Sequence, residues 1–131
     1  MKDRYLFKAK HFKEWHIGNI VKEPDGLYIR DIKENVMAYI DDESTICQCT
    51  GLKDKNGKLI WENDVVGFWD TYSTENGRTE MDCIGKVVWD DETISFQVTN
   101  RLSAESYEVL DECSVIGNVF DNPELLESEE N

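Results

Sequence analysis

Hydrophobic residues recur along this chain in short runs separated by turn-forming residues, a pattern that predicts strands rather than helices. The runs follow one another roughly every 8 to 12 residues, which is typical of antiparallel sandwiches and barrels. Ten strands are predicted, over residues 4–10, 14–21, 27–30, 35–40, 44–51, 59–61, 65–69, 83–89, 94–99 and 114–120. We therefore expect a mainly β, antiparallel fold, in which residues 4–32 form a small meander.

Two local signals predict tight hairpins. The tetrapeptide Glu23-Pro24-Asp25-Gly26 combines a proline that sets its own φ with a glycine that accepts positive φ. Asn56-Gly57 supplies the two positive-φ residues of a type I′ turn, so a hairpin is expected before residues 59–61. Residues 70–80 are polar and contain Asn76-Gly77, which predicts a long loop or an extended hairpin tip.

Helical signals are confined to two segments. Residues 102–110 predict a turn or two of helix. Asn122-Pro123 resembles a helix start, with Asn122 as the cap and Pro123 at the first helical position. A short C-terminal helix is therefore expected.

The length of 131 residues fits a single domain, residues 1–131. Within it, residues 58–120 are predicted to close into an SH3-like, partly open barrel with a long first loop at 70–82. Residues 1–57 are expected to form an N-terminal β-rich lobe packed on that barrel. Residues 121–131 hold five acids and no Lys or Arg, which is typical of an acidic, solvated tail.

The net charge of the chain limits the kinds of molecule that we expect it to bind. The chain has 28 acidic and 14 basic residues, a net charge of −14, although residues 1–16 carry +3. Phosphate binding depends largely on Lys and Arg, so we do not expect nucleic acid as a partner. No segment approaches the roughly 18 apolar residues of a membrane helix, and the charged start lacks a signal-peptide core. We therefore expect a cytoplasmic protein that does not contact a membrane.

The cysteines are the first candidates for chemistry. Cys47, Cys49, Cys83 and Cys113 are expected to be reduced thiols, because a chain with this many aromatic residues does not need disulfides. Cys47 and Cys49 project to one face of a strand and could offer two thiolates to zinc. The remaining candidate ligands are distant along the chain and have no paired spacing: they are Cys83, Cys113, His11 and His16.

The acidic residues also allow weaker alternatives. Asp54, Asn56 and Gly57 match positions 3, 5 and 6 of a calcium loop, but Leu52 and Asn63 stand where two essential carboxylates belong. Carboxylate pairs such as Glu62/Asp64 and Asp90/Asp91 are expected by chance in so acidic a chain. We assign no catalytic, cofactor-binding or metal residue and expect no cofactor and no enzyme activity.

Three blocks of residues follow one another along nearly the whole chain. The first runs from Tyr5 to Lys10 and continues with Glu14-Trp15 and Gly18-Asn19. The second includes Thr45-Ile46, the stretch from Thr50 to Lys58, and Ile60, Glu62, Asp64 and Val65. The third includes residues 85–89, 115–119 and 122–126. Together these blocks resemble the YopX-like family of phage and prophage proteins.

The resemblance implies a small, mostly β protein without an assigned activity, in the cytosol of a bacterial host. Three positions depart from the family pattern, with Cys47 and Asn63 in place of glycines and Cys49 in place of an aromatic residue. Asn tolerates left-handed φ, so the turn at Asn63 should survive. The positions that the resemblance assigns to turns and architecture are Gly51, Asn56, Gly57, Asp64, Gly117 and Asn118.

These observations favour a non-enzymatic accessory protein that acts as a protein–protein interaction or assembly module. Its partner would be a host or phage protein, or a second copy bound through exposed strand edges. One alternative is an acidic decoy that mimics nucleic acid and occupies a host protein. The other is a hydrolytic or metal enzyme that uses the acid clusters.

Overall fold

The computed structural model describes residues 5–75, 77–99, 106–108 and 113–127. Two antiparallel sheets and one short helix confirm the predicted mainly β fold. The chain divides into two compact units, Met1–Gly51 and Leu52–Asn131. Within the described ranges, no helix has the length and apolar character needed to cross a membrane.

The elements closely follow the predicted hydrophobic runs. The strands are β1 Phe7–His11, β2 Glu14–Glu23, β3 Gly26–Asp31, β4 Met37–Tyr39, β5 Cys47–Lys53, β6 Leu59–Trp61, β7 Asp64–Thr74, β8 Gly77–Asp90, β9 Ser95–Thr99, β10 Ser106–Glu108 and β11 Ser114–Asn118. A 3₁₀ helix covers Glu43–Thr45, and the α-helix α1 covers Glu124–Glu127.

The first sheet has the strand order β4-β3-β2-β1-β5-β6. Strands β1, β2 and β3 pair with their neighbours in the chain, as the predicted meander requires. Glu23 pairs directly with Gly26, which leaves Pro24 and Asp25 as the two turn residues. Gly26 has φ 147°, so the turn uses the conformational freedom that the sequence placed there.

One face of this sheet carries the core of the first unit. Ile29 lies opposite Ile20 on β2 and Ala38 on β4, so the three side chains share a face. The buried members of this cluster are Ala9, Ile29, Ala38 and Ile40, with Ile20, Leu27 and Ile46 packed against them. Burying a side chain such as Ile29 contributes about 1.5–3 kcal/mol, so this face supports the unit.

The first unit curls so that the end of β1 reaches the end of β4. His11 Nδ1 donates to the Tyr39 carbonyl at 2.8 Å, and Phe12 N donates to Asp41 Oδ1 at 2.7 Å. Two strands separate β1 from β4 in the sheet order, so these bonds require a strongly curved sheet.

The second sheet has the order β10-β9-β8-β7-β11. Strands β7 and β8 form a long hairpin paired from Val65↔Lys86 to Thr74↔Gly77. Of the two alternatives for residues 70–80, the extended hairpin is the observed one. Strands β10 and β11 are the terminal strands of this sheet, and the SH3-like closure stays a prediction.

The second unit has its own core of aliphatic and aromatic side chains. Val66 on β7 and Val87 on β8 are completely buried. The buried cluster is Ile60, Val66, Val87, Val98 and Cys113, with Phe68, Phe96 and Val115 packed against it.

Two local predictions need correction. Asn56 does not adopt positive φ and only Gly57 does, at 82°, so the loop is not a type I′ turn. Ser106–Glu108 is a strand paired with β9 rather than helix, because β9 offers it a ladder of backbone partners. The rest of the predicted helix at 102–110 lies outside the described residues.

The C-terminal helix is confirmed as α1, which begins at Glu124, one residue after the predicted first helical position Pro123. Asn122 Oδ1 accepts from Asn118 N at 3.3 Å, and the Asn122 main-chain carbonyl accepts from Leu125 N at 3.1 Å. Asn122 therefore contacts both the preceding turn and the helix. The last four residues of the predicted acidic tail lie outside the described ranges.

Candidate functional site

Asn56 and Gly57 belong to a loop organised by the buried carboxylate of Asp54. Asp54 Oδ1 accepts from the backbone N of Asn56 and of Lys58, each at 2.9 Å, and Oδ2 accepts from Val115 N at 2.9 Å. Burial by itself would raise the pKa of Asp54, but these donors outweigh it and hold the pKa below its ordinary value. Both oxygens are occupied by backbone N–H groups, so this carboxylate joins the loop to β11 rather than offering a calcium ligand.

A second turn is held by Asp64. Its Oδ2 accepts from Trp61 N at 2.8 Å, and Asp64 is itself buried. Asn63 in the same turn has φ 71°, so the expectation that Asn preserves this turn in place of Gly is confirmed. The Asn63 carbonyl accepts from Val119 N at 3.0 Å, which connects the turn to the end of β11.

Gly117 and Asn118 form the third turn. Asn118 pairs with Asp64, and its Oδ1 accepts from the backbone N of Phe120 and of Asp121. A Cβ on Gly117 would lie 2.6 Å from Asn122 Oδ1, so a larger residue would require the Asn122 side chain to shift. The structure thus gathers five of the six assigned residues around β11, whereas Gly51 lies in β5 with φ 82°.

The four cysteines are reduced thiols, as expected, and all are buried. They form no disulfide, and their exposed fractions lie between 0 and 5%. Cys47 Sγ donates to the Thr45 carbonyl at 3.2 Å. Within the described ranges, the one group of three metal-ligand types contains no cysteine.

The acid pairs considered for catalysis serve local structure. Asp90 Oδ1 accepts from Glu92 N at 2.9 Å, and Asp91 Oδ1 accepts from Trp89 Nε1 at 2.7 Å. These bonds, and the bond from Trp61 N to Asp64, show that Asp64, Asp90 and Asp91 stabilise local turns.

Sequence reasoning missed a buried pair formed by His16 and Asp31. His16 Nδ1 donates to Asp31 Oδ2 at 2.8 Å, and each side chain is 9% exposed. Asp31 Oδ1 accepts from Lys33 N and Glu34 N, at 2.8 and 2.9 Å. The Glu34 N–H is the main cause that lowers the pKa of Asp31, and the His16 side chain adds to it against the effect of burial.

The pair arises from strand register, because Gly18, two residues after His16, lies opposite Asp31. His16 and Asp31 themselves are 15 residues apart in sequence. Glu34 follows in the turn after β3, and one ligand atom from each of the three residues lies within 4.8 Å of the others. No sequence motif has this spacing.

A second candidate site is strand β4, a terminal strand of the first sheet. Ile40 N donates to the Leu27 carbonyl and Asp31 N donates to the Val36 carbonyl. Antiparallel bonds alternate, so Met37 and Tyr39 direct their backbone groups away from β3. One of these groups, the Tyr39 carbonyl, accepts from His11. The edge therefore keeps outward N–H groups at both residues.

The sheet face beside this edge is apolar and exposed. Met37 lies opposite Arg30, and Tyr39 lies opposite Tyr28, with the two tyrosine rings 5.4 Å apart in an edge-to-face contact. Ile17 and Ile32 extend the same face, since Ile32 N donates to the Ile17 carbonyl. The exposed fractions are 39% for Met37, 42% for Tyr39, 38% for Ile17 and 57% for Ile32. We call these four residues with Arg30 the β4 platform.

Comparison with known proteins identifies one family. The family model described as "YopX protein" matches residues 8–127. No curated protein matches the chain.

Proposed function

Because this chain belongs to the YopX family, we propose that it is a non-enzymatic phage or prophage accessory protein that binds a partner protein through strand β4. The observation that carries the proposal is an edge strand with outward N–H groups beside an exposed apolar face. An added partner strand would satisfy those groups, as in the recognition mode called β-augmentation.

The composition of the edge supports this role. Folded proteins protect edge strands with Lys, Pro or inward-pointing charge, yet Val36–Ile40 contains none of these. Exposed apolar residues beside an edge strand mark an interaction surface when they form a contiguous patch. Tyr, Met and Arg are also the residue types enriched in the buried centres of protein interfaces.

Charge favours a basic partner over a second copy. Two chains that each carry −14 repel one another at low ionic strength, whereas a basic protein is attracted. A three-residue edge also buries less than the roughly 800 Å² per partner of a stable interface, so the partner must cover the platform as well. The partner we propose is a basic protein with an extended apolar segment.

The experiment compares the full chain with Met37→Pro and Arg30→Glu as baits in a host lysate. Met37 N–H points away from the β3 ladder, so proline removes an outward donor and leaves the ladder bonds. Ile94→Lys is the matched control, since Ile94 is 73% exposed in the second unit. We expect a partner bound by the wild type and the control, and lost with both platform variants.

Amide hydrogen exchange on the purified complex tests whether the partner binds by adding a strand to β4. The Met37 and Tyr39 amides should exchange rapidly in the free protein and slowly in the complex. A partner that still binds both platform variants, or a complex without protection at these amides, would contradict the proposal. Self-association lost in the same variants would assign the edge to a homo-oligomer instead.

A further inference from the structure

We propose that His16, Asp31 and Glu34 bind a divalent transition-metal ion in the first unit. The donor set is one imidazole and two carboxylates, which suits Zn²⁺, Mn²⁺ or Co²⁺ better than Mg²⁺ or Ca²⁺, because the latter prefer oxygen ligands alone. Nothing in the family match assigns such a site.

The distances between the three ligand atoms fit a metal ion that takes the place of the proton between His16 and Asp31. His16 Nδ1 and Asp31 Oδ2 are 2.8 Å apart. Adjacent ligands of a tetrahedral ion bound at about 2.0–2.2 Å are separated by about 3.3–3.6 Å. The pair therefore needs to open by about 0.5–0.8 Å, while the Nδ1 proton moves to Nε2 and leaves its lone pair for the metal. The third donor is close, since the ligand atoms of all three residues lie within 4.8 Å of one another.

The turn after β3 holds the Asp31 carboxylate in position. Asp31 Oδ1 is occupied by the Lys33 and Glu34 N–H groups, and the Asp31 carbonyl accepts from Asn35 N at 2.9 Å. Oδ2 consequently remains the oxygen that faces His16. Backbone donors that orient a ligating carboxylate are the usual outer shell of protein metal sites.

Burial and access are divided between the three residues. His16 is 8% exposed and Asp31 6% exposed, so both are held by the surrounding structure. His16 Nε2 has no hydrogen-bond partner within the described part of the chain, and the ring is positioned by its Nδ1 bond and by an edge-to-face contact with the His11 ring, 6.4 Å away between centroids. Glu34 is exposed and provides the route by which a hydrated ion enters. Three protein ligands leave at least one position for water.

The test is calorimetric titration of Zn²⁺ into full-length protein that has been stripped with a chelator. We expect one ion per chain, and binding weakened by about tenfold or more in Glu34→Gln and in His16→Gln. Glu34 is exposed, so its variant should fold even where changes at the buried pair prevent folding. His11→Gln and Glu43→Gln are matched controls that remove another histidine and another exposed acid of the same unit, and they should bind like the wild type.

Co²⁺ provides an independent spectroscopic measurement. Wild-type protein should give visible absorption bands of a four- or five-coordinate ion, and Glu34→Gln should lose them. The proposal is overturned if Zn²⁺ at ~1 mM does not bind, or if Glu34→Gln binds as tightly as the wild type. Binding lost in His11→Gln and retained in His16→Gln would also overturn it.

Discussion

Replacing Asp54 with Asn tests how strongly one buried carboxylate joins the loop after β5 to strand β11. Asp54 is 5% exposed and accepts three backbone hydrogen bonds. Asn keeps one oxygen, which can retain the bonds from Asn56 and Lys58, but its amide then faces the Val115 N–H. One charge-assisted bond is lost, about 1.5–3 kcal/mol, and two donors oppose one another. We expect the free energy of unfolding to fall by about 2–4 kcal/mol.

Urea unfolding at pH 7, followed by tryptophan fluorescence, measures this change. Glu92→Gln is the control, because it removes the same charge from an exposed position of the same unit and should change stability by less than about 0.5 kcal/mol. Hydrogen exchange should accelerate at the Val115 amide in Asp54→Asn alone.

The pH dependence gives a second measurement on the same variant. The pKa of Asp54 in the folded protein lies below its ordinary value of 3.8. Its stabilisation is therefore complete above that ordinary value and is lost as the pH falls through the folded pKa. The stability difference between the wild type and Asp54→Asn should shrink below about pH 4. Equal stability of Asp54→Asn and Glu92→Gln at pH 7 would refute the reasoning.

Three further predictions concern other parts of the molecule. Gly117→Ala should lower stability by about 1–3 kcal/mol, measured by thermal unfolding, because its Cβ would lie 2.8 Å from Leu125 Cδ1; an unchanged transition would contradict the crowding. Folding lowers the pKa of Asp31 below its ordinary value of 3.8, so the wild type should lose stability as the pH falls below that value. Asp31→Asn should lose less stability over the same pH range, as measured by urea unfolding midpoints at several pH values. The four buried thiols should react slowly with an aromatic disulfide reagent in native protein and rapidly in denaturant, and fast native labelling would show that a cysteine is accessible.

The turns show how much local sequence encodes. Pro24 and Gly26 favour one geometry whatever the rest of the chain does, and the predicted hairpin is observed there. Asn63 likewise adopts the left-handed φ that its side chain tolerates. At Asn56-Gly57 the local signal located the hairpin but not its turn type, because the distant Asp54–Val115 contact belongs to the tertiary structure.

The same division applies to the candidate sites. A short apolar run was sufficient to locate β4, yet which strand lies at a sheet edge depends on the order in which strands pair. The His16–Asp31 pair depends on register, since a shift of one residue would turn either side chain to the other face. Ser106–Glu108 is a strand because β9 lies beside it, and its own residues do not specify that partner.

For this protein, short-range physics determined the strand positions, the tight turns and the family signature, because those features depend on neighbouring residues. Strand pairing determined which N–H groups remain at an edge and which histidine meets which carboxylate. Those contacts join residues that are far apart in the chain, and the free energy that selects them comes from burying two separate cores. The candidate sites therefore became visible only once the sheets were formed.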